Sequence, residues 1–232
     1  ISTKKGLAYE IKGEGVARHC CGRGIGKEIA LTLAREGSNL IINSFSRENT
    51  RTLEKEIAEL GVEVVTVAGD ITKSKVILET VNSGIGAFGR IDIVINNIGG
   101  GSASEVEDKD NPLAEVEAVW DGTYAMSLKA PVLMCEAVMP HLIEKKSGKI
   151  VNISSMAGRP GMPHVDLVPL SSSYHSSKAG LIRYTQLLAD QMGRHNINVN
   201  AICPGIIYTD GWKEISEEMV KRHPSYKGED PR

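Results

Sequence analysis

The stretch "ARHCCGRGIGKEIALTLAREG", residues 17–37, decides how the rest of the chain is read. Its second half passes from glycines into an apolar pattern, Ile25, Ile29, Ala30, Leu33 and Ala34. That three-to-four-residue spacing predicts a helix buried on one face and stopped at Gly37. A glycine turn opening into a helix presents unpaired N–H groups and the positive helix end to an anion, and the missing Cβ atoms let a pyrophosphate approach. Gly22, Arg23, Gly24, Ile25 and Gly26 are therefore candidate nucleotide contacts. The first half is anomalous, because Gly15, Arg18, His19, Cys20 and Cys21 stand where a buried strand should be apolar. The loop from Gly22 onward is expected to be regular, with any irregularity concentrated just before it. A chain with 24 glycines makes a local cluster unsurprising, so the surrounding sequence has to carry the reading.

That surrounding sequence alternates. "SNLIINSFS" predicts a short strand, "RENTRTLEKEIAELG" a helix with its own terminal glycine, and "VEVVTVAGD" a β-branched strand. There follow a helix near residues 73–88, the strand "IDIVIN", a long helix over roughly residues 116–145 and the strand "GKIVNIS". The helix "SSYHSSKAGLIRYTQLLADQMG" and the strand "INVNAICPG" complete the series. Near-continuous apolar strands separated by helices predict a parallel sheet covered on both faces. The expected architecture is a doubly wound α/β fold of the Rossmann type, whose ligands bind at the carboxyl ends of the strands. The loops "GGGSASEVEDKDNP" and "AGRPGMPHVDLVPLSS" lie just past strand ends and should border that crevice.

Composition sets the outer bounds. A chain of 232 residues can bury one sizeable core, and a single domain over residues 1–232 is expected. A formal net charge of −2 with dispersed basic residues argues against a nucleic-acid or membrane-surface partner. The apolar runs are too short to cross a bilayer and nothing resembles a secretory signal, so a cytoplasmic location is expected. Cys20, Cys21, Cys135 and Cys203 lack metal-binding or redox spacing, which predicts buried or partly buried free thiols and no metal.

The motif "YHSSK" places Tyr174 and Lys178 four apart, on one face of a helix. An ammonium beside a phenol favours phenolate, so Lys178 is expected to draw the Tyr174 pKa below its usual ~10 and toward neutrality. Such pairs also occur as ordinary surface neighbours. Here "IVNISSMAG" ends a strand with Ser154 and Ser155 on the same sheet edge.

With these elements in order, the chain resembles the short-chain dehydrogenase/reductases from about residue 12 to residue 209, among them 3-oxoacyl-thioester reductases and sugar or polyol dehydrogenases. The family's TGxxxGxG corresponds to His19, Cys20, Gly24 and Gly26, and its adenine-side Asp to Asp70 in "AGDIT", beside Ile71. Its NNAG corresponds to Asn96, Asn97, Ile98 and Gly99, and its catalytic Ser, Tyr and Lys to Ser155, Tyr174 and Lys178. Asn200, Pro204, Gly205, Ile207 and Thr209 fall in the stretch that holds the nicotinamide. The resemblance implies hydride transfer between a nicotinamide cofactor and a carbonyl or secondary alcohol. In that reading Tyr174 exchanges the proton, Lys178 holds the nicotinamide ribose and Ser155 hydrogen-bonds the substrate oxygen. It also implies a homodimer or homotetramer joined through the long helices.

Cofactor choice is partly legible. NAD-selective members place a carboxylate at the end of the second strand; this chain has Asn43, Ser44, Ser46 and Arg47 there, and Arg23 nearby could pair with a 2′-phosphate. NADP is favoured over NAD. Three further departures stand out. Ser127 occupies the place of the family's fourth catalytic residue, an Asn, with a shorter reach. Ser155 and Tyr174 are 19 apart, wider than the family's usual spacing, which enlarges a loop at the pocket edge. The family's last helix and strand are not expected within these residues. A non-catalytic nucleotide-binding or scaffold member of the same fold is the alternative, supported by the altered TG and Ser127. A Rossmann-like methyltransferase would leave Ser155, Tyr174 and Lys178 unexplained.

Overall fold

The structure is a computed structural model that describes residues 15–19, 23–45, 47–100, 110–161, 170–209, 213 and 217. Among these residues six strands are separated by helices: β1 Gly15–His19, β2 Asn39–Ser44, β3 Val64–Ala68, β4 Ile93–Asn96, β5 Gly148–Ile153 and β6 Ile197–Ile202. The helices are α1 Gly24–Arg35, α2 Glu48–Glu59, α3 Ser74–Phe88, α4 Ala114–Tyr124, α5 Ala130–Lys145 and α6 Leu170–Met192. Every pairing is parallel, and the sheet order is β3-β2-β1-β4-β5-β6. The order reverses between β1 and β4, which opens a crevice above their carboxyl ends.

Strand periodicity divides the core between the two faces. Ile41, Val94, Ile150 and Val199 point toward α3, α5 and α6, where Ile77, Met134 and Leu188 meet them. Leu40, Ile42, Ile93 and Ile95 point the other way, onto Ala30, Leu33, Leu53 and Ile57 of α1 and α2. Because the side-chain period of a strand is two, apolar runs in all these strands fill both layers at once.

The anomalous stretch before the glycines forms a strand after all. Gly15 to His19 pair in register with Asn39 to Asn43 of β2, and Val16 to Arg18 with Ile93 to Ile95 of β4. Cys20, Cys21 and Gly22 lie outside the described residues. The expected long helix over residues 116–145 is present but has a π-turn at Ala125–Lys129, in which Ala130 N–H donates to Ala125 O. Pro131 explains it: proline has no N–H to give the Ser127 carbonyl and its ring crowds that carbonyl, so the helix widens there.

Candidate active site

Six strand ends deliver the site. After β1, Arg23 is the N-cap of α1 and is extended, while Gly24 takes φ +57°, a left-handed value that a side chain would resist. A Cβ on Gly24 would lie 3.5 Å from Thr209 Cγ2, so the loop that opens α1 and the segment beyond β6 face each other across the crevice. Gly26 is buried within the first turn of α1 and Ile25 is half-buried. Arg23 is exposed beside this helix end.

After β2, Ser44 is buried and accepts Gly69 N–H at its carbonyl, while Asn43 Nδ2 donates to Val67 O at 3.0 Å. Arg47 is exposed at the N-cap of α2; Ser46 lies outside the described residues. After β3, Asp70 Oδ1 accepts from both Thr72 N and Thr72 Oγ1, at 2.9 and 2.7 Å, which fixes the carboxylate at the crevice edge, and Ile71 is buried beneath it. After β4, Asn97 is half-buried, and Gly99 leaves room for a lysine: a Cβ there would stand 2.5 Å from Lys178 Nζ.

Lys178 is the centre of the arrangement. It is only 2% exposed, and its Nζ donates to Ile98 O and Ile153 O, each at 2.9 Å. Two carbonyls at the ends of β4 and β5 thus hold a charge that burial alone would make costly. The same Nζ lies 5.7 Å from the centre of the Tyr174 ring. Ser155 caps a 3-10 turn, Met156–Gly158, by accepting Ala157 N–H at 3.1 Å, and its hydroxyl is near enough to the Tyr174 phenol to lower that group's pKa. Ser127, fully buried in the π-turn, exchanges hydrogen bonds with Gly100, accepting from its N and donating to its O, both at 3.2 Å. Ser155, Tyr174 and Lys178 come together as expected, and Ser127 reaches them through the Gly99–Gly100 backbone.

Beyond β6 the ladder continues into the site. Ser154 N–H donates to Ile202 O and Met156 N–H to Pro204 O, so Pro204 sits against the Ser155 turn. Gly205 faces Met156 across that join: a Cβ there would lie 3.4 Å from its Sδ. Ile207 is exposed at the same edge and Thr209 half-buried.

One expectation needs correction. The Tyr174 phenol is not drawn down toward neutrality: burial is the dominant influence and raises its pKa above 10.0, while the nearby Ser155 hydroxyl pulls it back only in part. The Lys178 ammonium is turned onto two carbonyls rather than spent on the phenol. Ultraviolet difference titration of the protein against its Tyr174→Phe variant is expected to show this phenolate forming only above pH about 10. An inflection near neutrality would restore the original expectation.

Gly158 was not singled out by the sequence. A Cβ there would meet Lys178 C, Ala179 N and Lys178 O at 2.6, 2.7 and 2.8 Å, so the Ser155 turn packs backbone to backbone on α6. Its only sequence signal was its place three residues after Ser155. The cysteines follow their expectation where described: Cys135 is a buried free thiol whose pKa burial pushes up to about 12, and Cys203 is a half-buried one. Among the described residues no cluster of metal-ligating side chains occurs, and no helix is long and apolar enough to cross a membrane.

The family profile described as short chain dehydrogenase matches residues 19–220. The chain is 35% identical over 212 residues to the (2S)-[(R)-hydroxy(phenyl)methyl]succinyl-CoA dehydrogenase subunit BbsD of Thauera aromatica, covering 90% of this chain and 80% of that one. It is 33% identical over 196 residues to the 3-oxoacyl-[acyl-carrier-protein] reductase FabG of Thermotoga maritima, covering 84% and 74%. Among solved structures, NAD+-bound xylitol dehydrogenase superposes with a TM-score of 0.81 at 29% identity, covering 96% and 82%. The chain belongs to the short-chain dehydrogenase/reductase family. It is an oxidoreductase of the NAD(P)-dependent kind.

Proposed function

We propose that the chain is a single dinucleotide-binding and catalytic domain that reduces a small carbonyl compound, or oxidises the matching secondary alcohol, with NADP(H) preferred over NAD(H). The observation that carries the reading is the Lys178 ammonium, buried between the β4 and β5 carbonyls with the Tyr174 ring beside it and Ser155 near the phenol. Gly22, Gly24 and Gly26 would take the pyrophosphate on the N-terminus of α1, Asp70, Ile71, Asn97 and Gly99 the adenine side and ribose, and Pro204, Gly205, Ile207 and Thr209 the nicotinamide. The bound cofactor supplies the hydride. Ser155 holds the substrate oxygen, and Tyr174 gives it a proton in the reducing direction. A phenol held above its usual pKa stays protonated through neutral pH, which suits donation; the reverse reaction needs phenolate and gains as the pH rises. Ser127 keeps the Gly99–Gly100 backbone at the distance Lys178 requires.

The preference for NADP rests on charge. No carboxylate closes β2, and Arg23 and Arg47 both stand exposed at the adjoining helix ends. Arg23→Ala and Arg47→Ala are each expected to weaken NADPH binding by about 1–2 kcal/mol, as for a charge-assisted hydrogen bond, and to leave NADH nearly unchanged. Fluorescence titration with both reduced cofactors, then a panel of ketones, 3-oxoacyl thioesters and polyols, tests the reading. Tighter binding of NADH by the unaltered protein would reverse the preference.

The reading places the enzyme in the cytoplasm as a homodimer or homotetramer. Leu113, Val116, Trp120 and Tyr124 form an exposed apolar stripe along α4. A groove of about 620 Å³ between Leu128, Leu133, Tyr184 and Leu187 continues it toward α6, on the long helices through which such subunits would join.

A further inference from the structure

Behind Lys178, three core side chains form a hydrogen-bonded row from β4 to α6. Asn96 Nδ2 donates to Asn152 Oδ1 at 2.8 Å, Asn152 Nδ2 donates to Thr185 Oγ1 at 2.9 Å, and Thr185 Oγ1 donates to Leu181 O at 2.7 Å. Asn96 and Asn152 are fully buried and Thr185 is 4% exposed. The row has one direction. A threonine hydroxyl has a single proton, and here it goes to Leu181 O, so the hydroxyl must accept from an N–H₂. That turns the Asn152 carbonyl toward Asn96, which must answer with its own N–H₂. Asn96 Oδ1 is left buried with no hydrogen-bond partner, a cost the row imposes rather than relieves.

The row ties together the same three elements that build the lysine socket. Ile153 O belongs to the residue after Asn152, and Ile98 O lies two residues beyond Asn96. Ser154, on the same face of β5 as Asn152, donates to Lys178 O at 2.9 Å. Thr185 is seven residues beyond Lys178, two turns along the same face of α6. β5 therefore grips α6 at two points: Ser154 at the catalytic end and Asn152 two turns behind it.

We propose that Thr185 and Asn152 are positioning residues: they fix the height of α6 against β4 and β5, and so hold the Lys178 ammonium between its two carbonyls and beside Tyr174. This rests on the catalytic reading of Tyr174 and Lys178. Thr185→Val keeps the side-chain shape and removes the hydroxyl; Thr185→Ser keeps the hydroxyl. With saturating NADPH and a carbonyl substrate from the panel, Thr185→Val is expected to lower kcat about tenfold or more, as misplacement of a catalytic group does, and leave the substrate KM within about twofold. Its pH–rate profile shifts on the alkaline side, and Thr185→Ser restores both rate and profile. Thermal melts of each variant separate this from a loss of stability, and Thr185→Ala takes the place of the valine variant if the latter does not fold. Unchanged kcat and pH profile in a Thr185→Val protein that merely melts earlier would overturn the proposal. Wild type and Tyr174→Phe run alongside: equal turnover by those two would overturn the underlying reading, and this inference with it.

Discussion

Replacing Tyr174 by phenylalanine is expected to slow reduction of an active carbonyl substrate by about 10²- to 10⁴-fold, the range for removal of a positioned acid. NADPH binding should change little. The ring remains, so the packing beside Lys178 survives, and what disappears is the phenolic proton and the influence of Ser155 on it. Single-turnover rates with NADPH prebound, compared with fluorescence titration of the same variant, separate the chemical step from binding. Turnover surviving nearly intact would remove Tyr174 from the proton path. Loss of binding in parallel with loss of rate would instead make the tyrosine a structural element of the crevice.

The second large effect is expected at a residue with no reacting atom. In Gly158→Ala the new methyl meets main-chain atoms of Lys178 and Ala179 at distances no Cβ tolerates. A flexible side chain could swing aside, but α6 and the Ser155 turn can only move apart. Overpacking of this kind costs roughly 1–3 kcal/mol of stability. The same displacement draws Lys178 and Tyr174 away from Ser155, and a shift near 1 Å at reacting groups costs about 10²-fold in rate. Urea melts and kcat measured on one preparation check both halves. An alanine variant with unchanged stability and rate would show that the turn does not press on α6.

These two sites mark what a linear reading reaches. Tyr174, Lys178 and Ser155 were legible because chemistry restricts residue type and spacing: a phenol and an ammonium one helical turn apart, a hydroxyl at a strand end. The helices and strands were legible because apolar periods of 3.6 and two are written locally. Gly158 was not, since its role depends on a backbone that approaches from another element. The direction of the Tyr174 pKa was misread for the same reason: the charge on Lys178 is visible in sequence, but the burial that outweighs it is not. The Asn96, Asn152 and Thr185 row needs three separate segments to be superposed before any pattern exists. The π-turn had a sequence cause in Pro131, yet it lasts five residues inside a pattern that otherwise reads as continuous helix. The backbone of residues 15–19 pairs in register with β2 throughout and with β4 over Val16–Arg18, which their composition alone did not promise.

The π-turn has a consequence for phase. One turn of wider helix is equivalent to a single inserted residue, and one residue rotates everything on its far side by about 100° about the helix axis. Met134, Val138 and Leu142 of α5 are locked into the core, so the rotation is carried by α4. Leu113, Val116, Trp120 and Tyr124 therefore face outward at an azimuth set by Pro131. Shortening the helix by one residue at the turn would leave the core of α5 in place and swing that apolar stripe about a quarter of a circle, changing which surface the molecule offers without touching the surface itself.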